Sequence, residues 1–405
     1  MESSLKLKSE YKEQLKRVIK RLDSSFYFYD LDGLKDHLSY MRDTRDDSIK
    51  LWYACKANPM SAILKIFRNL DFGLDVASQG ELEQVLSAGI LPEDILSTGP
   101  SKSRKYLRSM IINEVNVVVL ESLNQAYWLD EIARELGARP KVLLRVQLDW
   151  DEGKSVLGGD EITPFGLDEK EWLKLDKSKC QNLDFKGFHV FQWGNLLELS
   201  RLERIWRGTI VSLQDLSKKM DIDMEVIDLG GGLGIPYAAN ETPLDFKDVN
   251  SLLVKLRDEY KLQTIWMELG RYCTGPYGHY LSQVIDKKVV RGRDILVLDG
   301  GINHIARPAL TDQAFPCEMF RESDAKTKEF TVHGPLCTAL DKLGTFQLPE
   351  DIDEGDWLVF SQAGAYGFTE AMPFFLCHNL PAEVILYNGD LMTPRTIKSS
   401  SDWLI

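Results

Sequence analysis

Nothing in this chain of 405 residues reaches the length of a membrane-spanning helix; its apolar runs stop after a handful of positions. The six cysteines (Cys55, Cys180, Cys273, Cys317, Cys337 and Cys377) include no CxxC pair, so neither a zinc site nor a disulfide framework is indicated, and no metal is expected. The stretch Met1 to Arg21 is charged throughout and lacks the apolar core of a signal peptide, which makes a reducing cytoplasm the expected compartment. Positive charge is in deficit: the formal net charge of −13 argues against nucleic acid or an anionic membrane as the main partner. Repeats, low-complexity tracts and flexible linkers are also missing. What remains is ordinary, with 44% hydrophobic and 27% charged residues, the balance of a soluble globular enzyme large enough for two domains.

Hydrophobic patterning orders the chain. A charged amphipathic helix is expected over Leu5–Leu22, then the β-type run Ser25–Tyr29 and a helix opening at Asp30. Short apolar strands then alternate with amphipathic helices. Strands are expected near Leu51–Ala57, Phe72–Ser78, Asp94–Gly99, Val115–Glu121, Lys141–Leu148, Lys186–Gln192, Met224–Gly230 and Thr264–Gly270. Helices intervene, among them Leu123–Leu136, Leu197–Met220 and Phe246–Tyr260. Eight such units predict a (β/α)8 barrel, with a doubly wound open sheet as the alternative. Beyond Pro276 strands dominate, so the expected division is a barrel over 30–275 and a β-rich domain from 276–405 joined by 1–29.

The barrel's candidate residues sit at the C-terminal ends of expected strands, where barrel enzymes place their chemistry. Leu51–Cys55 delivers Lys56 just before the turn Asn58-Pro59. A buried ammonium is costly, and its lowered pKa makes the amine a nucleophile toward an aldehyde; taken alone, Lys56 reads more simply as a strand-end lysine reaching solvent. Asp75 is a charge inside an apolar strand, whereas Ser78 and Glu81 are explained by helix capping. His189 is either a satisfied core histidine or a face for a planar ring. Gly230-Gly231-Gly232 can let backbone amides approach an anion, with a tight turn as the simpler reading. It is not a dinucleotide fingerprint, because the last glycine is replaced by Ile235 or Tyr237. Glu268 and Arg271 flank a glycine, either as a surface pair or as a proton holder and a phosphate ligand. Downstream, Cys337 follows a Gly-Pro turn and Tyr366 stands between small residues. A lysine, a phosphate nest and a carboxylate for a ring nitrogen together suit pyridoxal 5′-phosphate.

In their order, the motifs YACKAN, DVASQGE, HVF, DLGGGLGIPY, ELGRY, DGGINHIARPAL, GPLCT and GAYG resemble the fold-type III, pyridoxal-phosphate-dependent decarboxylases of the ornithine/diaminopimelate group, from about Phe26 to Val384. The resemblance implies an alanine racemase-like barrel. It implies Lys56 as the Schiff-base lysine, Asp75 beside it, and His189 against the ring. Gly231, Gly232, Arg271 and Tyr366 would lie at the phosphate and Glu268 at the pyridine nitrogen. Cys337 would be the acid near the substrate carbon, supplied across a homodimer interface. Arg307, Thr338 and Asp341 would face the substrate.

Three departures matter. Thr338 and Thr311 stand where diaminopimelate enzymes carry a glutamate and a tyrosine, and Gln192-Trp193 replaces the serine that usually follows the histidine. Together with Phe375-Leu376-Cys377-His378, these resemble the branch that decarboxylates modified amino acids, N-acylated or carrier-bound, in siderophore and antibiotic pathways. The expected substrate is an amino acid or a conjugate, with a carrier protein as a further candidate partner. A diaminopimelate or ornithine-type enzyme is the alternative, and a non-catalytic regulatory homologue the alternative of another class. A racemase of this barrel type is disfavoured by Glu268, since racemases generally place an arginine near the ring nitrogen.

Overall fold

The computed structural model describes residues 5–149, 154–155, 158–159, 162–191, 193–402 and 404. The chain forms two compact units, one of His37–Gly234 with Pro243–Gly270, the other of Met1–Asp36, Ile235–Thr242 and Arg271–Ile405.

In the first of these, among the described residues, eight parallel strands close into a barrel. They run Ile49–Ala54, Gly73–Val76, Ile95–Ser97, Val117–Leu120, Lys141–Arg145, Asp184–His189, Val226–Asp228 and Thr264–Leu269. The last pairs back onto the first, Ile265 beside Ile49 through to Leu269 beside Tyr53, so the sheet has no edge and the doubly wound alternative is excluded. Helices lie between the strands. Serine hydroxyls start three of them, Ser78 accepting from the Glu81 amide, Ser103 from that of Tyr106 and Ser122 from that of Gln125. Helices Leu123–Leu136 and Phe246–Tyr260 run where the periodicity put them.

The barrel is a packed core. Trp52, Leu96, Val117, Val119, Leu143, Val226 and Trp266 form one buried cluster, and the two indoles stand 5.0 Å apart. Such rings need space from the neighbouring strand, and Gly73, the register partner of Trp52, provides it: a Cβ there would fall 2.1 Å from the Trp52 ring. Gly73→Val is therefore expected to destabilise the fold by about 1–3 kcal/mol, the usual cost of overpacking. An unchanged denaturation midpoint would show that Trp52 has room to move.

The strands end earlier than the apolar runs suggested. The first stops at Ala54, and Cys55–Ala57 forms a 3₁₀ turn, so Lys56 sits on a turn above the barrel and does not close a strand. Gln192, expected in the sixth strand, lies outside the described residues.

The other unit is built on a sheet ordered Lys342–Pro349, Thr327–His333, Arg293–Leu298, Gly278–Val290, Phe26–Asp30, Ala382–Tyr387 and Asp390–Arg395. The amino-terminal strand lies inside it, antiparallel to Gly278–Val290 and parallel to Ala382–Tyr387. Helix Ser9–Leu22 buries Tyr11, Leu15 and Val18 against Phe26, Phe28, Leu281 and Trp357. The strands Cys317–Met319, Lys342–Pro349 and Asp390–Arg395 have no counterpart in the sequence reading. The last two are sheet edges containing proline, which weakens the strand signal. All six cysteines are free thiols. Among the described residues, no helix is long and apolar enough to cross a membrane.

Candidate active site

Four ionisable groups converge above the barrel strands. Lys56, brought there by its turn, places Nζ 3.4 Å from Oδ2 of Asp75 on the second strand and 5.8 Å from the Phe191 ring. Its side chain is 38% exposed, so the amine reaches the surface on one side, as the simpler reading of Lys56 has it. Asp75 is buried and accepts the Thr98 hydroxyl at 2.6 Å. Burial first, then the charge of Glu268, lifts its pKa to about 7 against the opposing pull of Lys56.

On the sixth and eighth strands, His189 Nε2 and Glu268 Oε1 are 3.0 Å apart, both buried. Burial alone would raise the Glu268 carboxyl; His189, Lys56 and Arg145 outweigh it and hold it below the usual carboxylate range. Asp228, on the seventh strand, goes the other way. Burial, then the charge of Glu268, push it well above that range. Its Oδ1 accepts the Gly230 amide at 2.9 Å, while Oδ2 is buried without a partner. Donor atoms of His189, Asp228 and Glu268 all lie within 4.8 Å of one another. Burial and the charge of its neighbour thus push the Asp228 carboxyl up while His189, Lys56 and Arg145 hold Glu268 down, so the two neighbouring carboxyls are driven apart.

A further buried network surrounds this group. Glu121 accepts Arg145 Nη1 at 3.0 Å and the Gly166 amide at 3.1 Å, with Lys102 Nζ at 3.9 Å. Burial lowers the Lys102 pKa to about 8. Ser78 and Glu81 behave as capping residues: Ser78 Oγ accepts the Glu81 amide, and Glu81 reaches back to the Ala77 amide at 2.6 Å.

The glycine loop after Asp228 is pressed against the eighth strand. A Cβ on Gly231 would lie 2.2 Å from the Glu268 carbonyl, and Gly232 has φ +102°. Only glycine fits both positions, which leaves backbone amides free of side-chain cover. These residues fit pyridoxal 5′-phosphate. An amine suited to its aldehyde, an anionic carboxylate for a protonated ring nitrogen and a bare glycine turn for its phosphate are present together. The partnerless Asp228 oxygen marks a polar site with unused hydrogen-bonding capacity.

In the other unit, Arg271 Nη1 donates to Tyr237 Oη at 2.6 Å, and its guanidinium stands 5.2 Å from the Tyr366 ring. Tyr366 has φ 58°, a left-handed backbone that is uncommon for a non-glycine residue and is held by its surroundings. Arg307 stands 5.0 Å from the same ring. Cys337 is exposed and Thr338 is half-buried. Asp341 differs from the substrate contact expected of it. Its Oδ1 accepts the Ile302 amide and its Oδ2 the Leu336 amide, at 2.8 and 2.7 Å, so both oxygens are spent on tying two loops together.

Sequence reasoning missed Asp228, Glu121, Arg145 and Lys102. The rule that singled out Asp75, a charge inside an apolar strand, applies equally to Asp228 and Arg145. Lys102 lies in a loop whose sequence carries no such signal.

Cofactor-free protein should also respond to pH through Asp75. Its folded pKa lies above the value of an unfolded chain, so the folded state holds this proton more tightly. The contribution is full below about pH 4 and is lost as pH rises to about 7. Asp75→Asn should flatten that part of the Tm–pH curve; an unaltered slope would assign it to other groups.

Residues 31–275 match the family described as pyridoxal-dependent decarboxylase, pyridoxal binding domain. The chain is 28% identical to the L-glutamyl-[BtrI acyl-carrier protein] decarboxylase of Niallia circulans, over 96% of this chain and 95% of that one. It is likewise 28% identical to the diaminopimelate decarboxylase of Aquifex aeolicus, over 96% and 93% of the two chains. The crystal structure of diaminopimelate decarboxylase from Helicobacter pylori complexed with L-lysine has the same fold, with TM-score 0.86 at 24% identity, covering 96% of this chain and 98% of that one. With the family match spanning more than half of its length, this chain belongs to the fold-type III pyridoxal-dependent decarboxylases.

Proposed function

We propose that the protein removes the α-carboxylate of an amino acid whose far end is extended by an acyl group, a conjugate or a carrier, in siderophore or related natural-product biosynthesis. The observation that carries the reaction class is the meeting of Lys56, Asp75, His189 and an anionic Glu268 above one barrel. Lys56 Nζ binds the cofactor, and Asp75, 3.4 Å away, orients that amine and can exchange a proton with it near neutral pH. Glu268, steadied by His189, holds the proton on the ring nitrogen. Gly231 and Gly232 offer backbone amides to the phosphate, and the family resemblance implies Arg271 and Tyr366 as its further ligands. When bound, pyridoxal 5′-phosphate supplies the sink for the electron pair left behind as CO2 departs. Cys337 returns a proton to the α-carbon.

Thr311 and Thr338 support the extended substrate, since neither supplies the charge or phenol that a second amino-acid head requires. Thr311 moreover donates its hydroxyl to the Arg307 carbonyl at 2.9 Å. The acyl-carrier substrate named for the Niallia relative supports the same reading. Diaminopimelate decarboxylation is the second reading, favoured by the Aquifex relative. Product mass spectrometry across free amino acids, their acyl conjugates and meso-diaminopimelate separates them. Loss of CO2 from a conjugate at a kcat/KM of roughly 10⁴ M⁻¹s⁻¹ or more is expected. The same efficiency on meso-diaminopimelate would overturn the substrate assignment.

Exposure of Cys337 is consistent with a site completed by a second copy. Mixing inactive Lys56→Ala and inactive Cys337→Ala chains should restore part of the activity, because one hybrid site is intact. No recovery after demonstrated subunit exchange would place both residues in one subunit's site.

A further inference from the structure

Beside the glycine turn the barrel unit leaves a small hollow, lined by Trp193, Gly231 and Gly232 and by Leu202, Ile205 and Trp206 of helix Leu199–Met220. All six residues belong to the stretch His37–Gly234 of that one unit. A water centre has about 20 Å³ in which to move there, room for one oxygen-sized guest and not for a ring or an alkyl tail. Phe191 also lines the hollow, and its ring stands 5.8 Å from Lys56 Nζ, so a ligand joined to that amine can reach it.

The hollow offers donors that lack acceptors. Trp193 is 8% exposed, and its indole Nε1 is buried without a hydrogen-bond partner. An orphaned donor is costly in a packed interior, and phenylalanine would fill the same space without that cost. Among the described residues, no hydrogen bond occupies the Gly231 or Gly232 amide. The turn is fixed to the segment that carries Trp193: the Leu196 amide donates to the Gly232 carbonyl and the Gly234 amide to the Leu196 carbonyl, both at 2.8 Å. The Arg201 guanidinium, 5.2 Å from the Trp193 ring, adds positive charge, and no acidic side chain lines the hollow. A water oxygen could fill the space, but hydrogen bonds to an anionic oxygen are roughly twice as strong as those to a neutral one.

We propose that the Trp193 indole N–H, together with the Gly231 and Gly232 amides, seats one phosphate oxygen of the cofactor, which makes Trp193 a cofactor-binding residue. The proposal rests on the pyridoxal 5′-phosphate reading of the same site and adds a side-chain donor to its glycine turn.

The full chain, freed of cofactor with hydroxylamine, is titrated with pyridoxal 5′-phosphate and with pyridoxal, which lacks the phosphate. Trp193→Phe keeps a ring in place and removes the N–H. It should weaken binding of pyridoxal 5′-phosphate by about 10–100-fold, the worth of a hydrogen bond to a charged group, and that of pyridoxal by less than about threefold. Inorganic phosphate should compete with the cofactor in the wild type and lose potency in the variant by a similar factor. An unchanged Kd for pyridoxal 5′-phosphate overturns the proposal, and so does equal weakening of both compounds, which would assign Trp193 to packing. If Trp193→Phe does not fold, wild-type protein labelled with ¹⁵N at its nine indoles decides. One indole N–H resonance should then move on addition of inorganic phosphate, and none moving overturns the proposal. Phosphate binding that depends on Trp193 in a chain that takes up neither pyridoxal compound would instead overturn the cofactor reading and leave the anion seat standing.

Discussion

Replacing Lys56 by alanine is expected to abolish decarboxylation, by a factor on the order of 10⁴ to 10⁶, the scale on which removal of a covalent nucleophile acts. The purified variant should also lose the visible absorbance of covalently held cofactor. The amine reaches from its 3₁₀ turn to 3.4 Å from Asp75, and no other described lysine combines partial exposure with that carboxylate. Lys102 is the rival, buried beside Glu121, but its side chain is fully enclosed and its ammonium is engaged by the Gly99 carbonyl. Activity within tenfold of wild type in Lys56→Ala would remove it from the chemistry.

Glu268→Gln carries the second large effect. Glutamine is nearly the same size and can still accept from His189 Nε2, so the 3.0 Å contact and the packing should survive. What disappears is the negative charge that keeps a proton on the ring nitrogen. Charge stabilisation of this kind acts mainly in the transition state, and its removal costs about 10²–10³-fold in kcat. KM and cofactor content should change little. A variant that decarboxylates at near wild-type kcat would show that the neighbouring Asp228 carboxyl does this work, and Asp228→Asn is the control for that outcome.

The fold was readable because a closed parallel barrel repeats one pattern eight times, and apolar strands bounded by capped helices announce each unit. Strand ends were less readable. Residues such as Cys55, Ala57 and Ser78 are apolar or small enough to extend a strand, yet they belong to turns that lift side chains into the site. In the site, isolated charges in apolar context were legible, as Asp75 and His189 show. Asp228 obeyed the same rule and was masked by the glycines after it. Away from the barrel, the Arg307–Glu370 ion pair was not legible at all, because only the folded loops bring that carboxylate to Arg307, 63 residues earlier in the chain. Asp341 shows the converse, since a motif position gave no hint that two backbone amides would claim its oxygens.

Borohydride reduction of the holoenzyme followed by peptide mapping tests the central claim most directly. Reduction fixes the cofactor to whichever amine carries it, independently of substrate. The cofactor mass is expected on the peptide containing Lys56 and nowhere else. Recovery on the peptide containing Lys102, or on any other lysine, would contradict the assignment of the site.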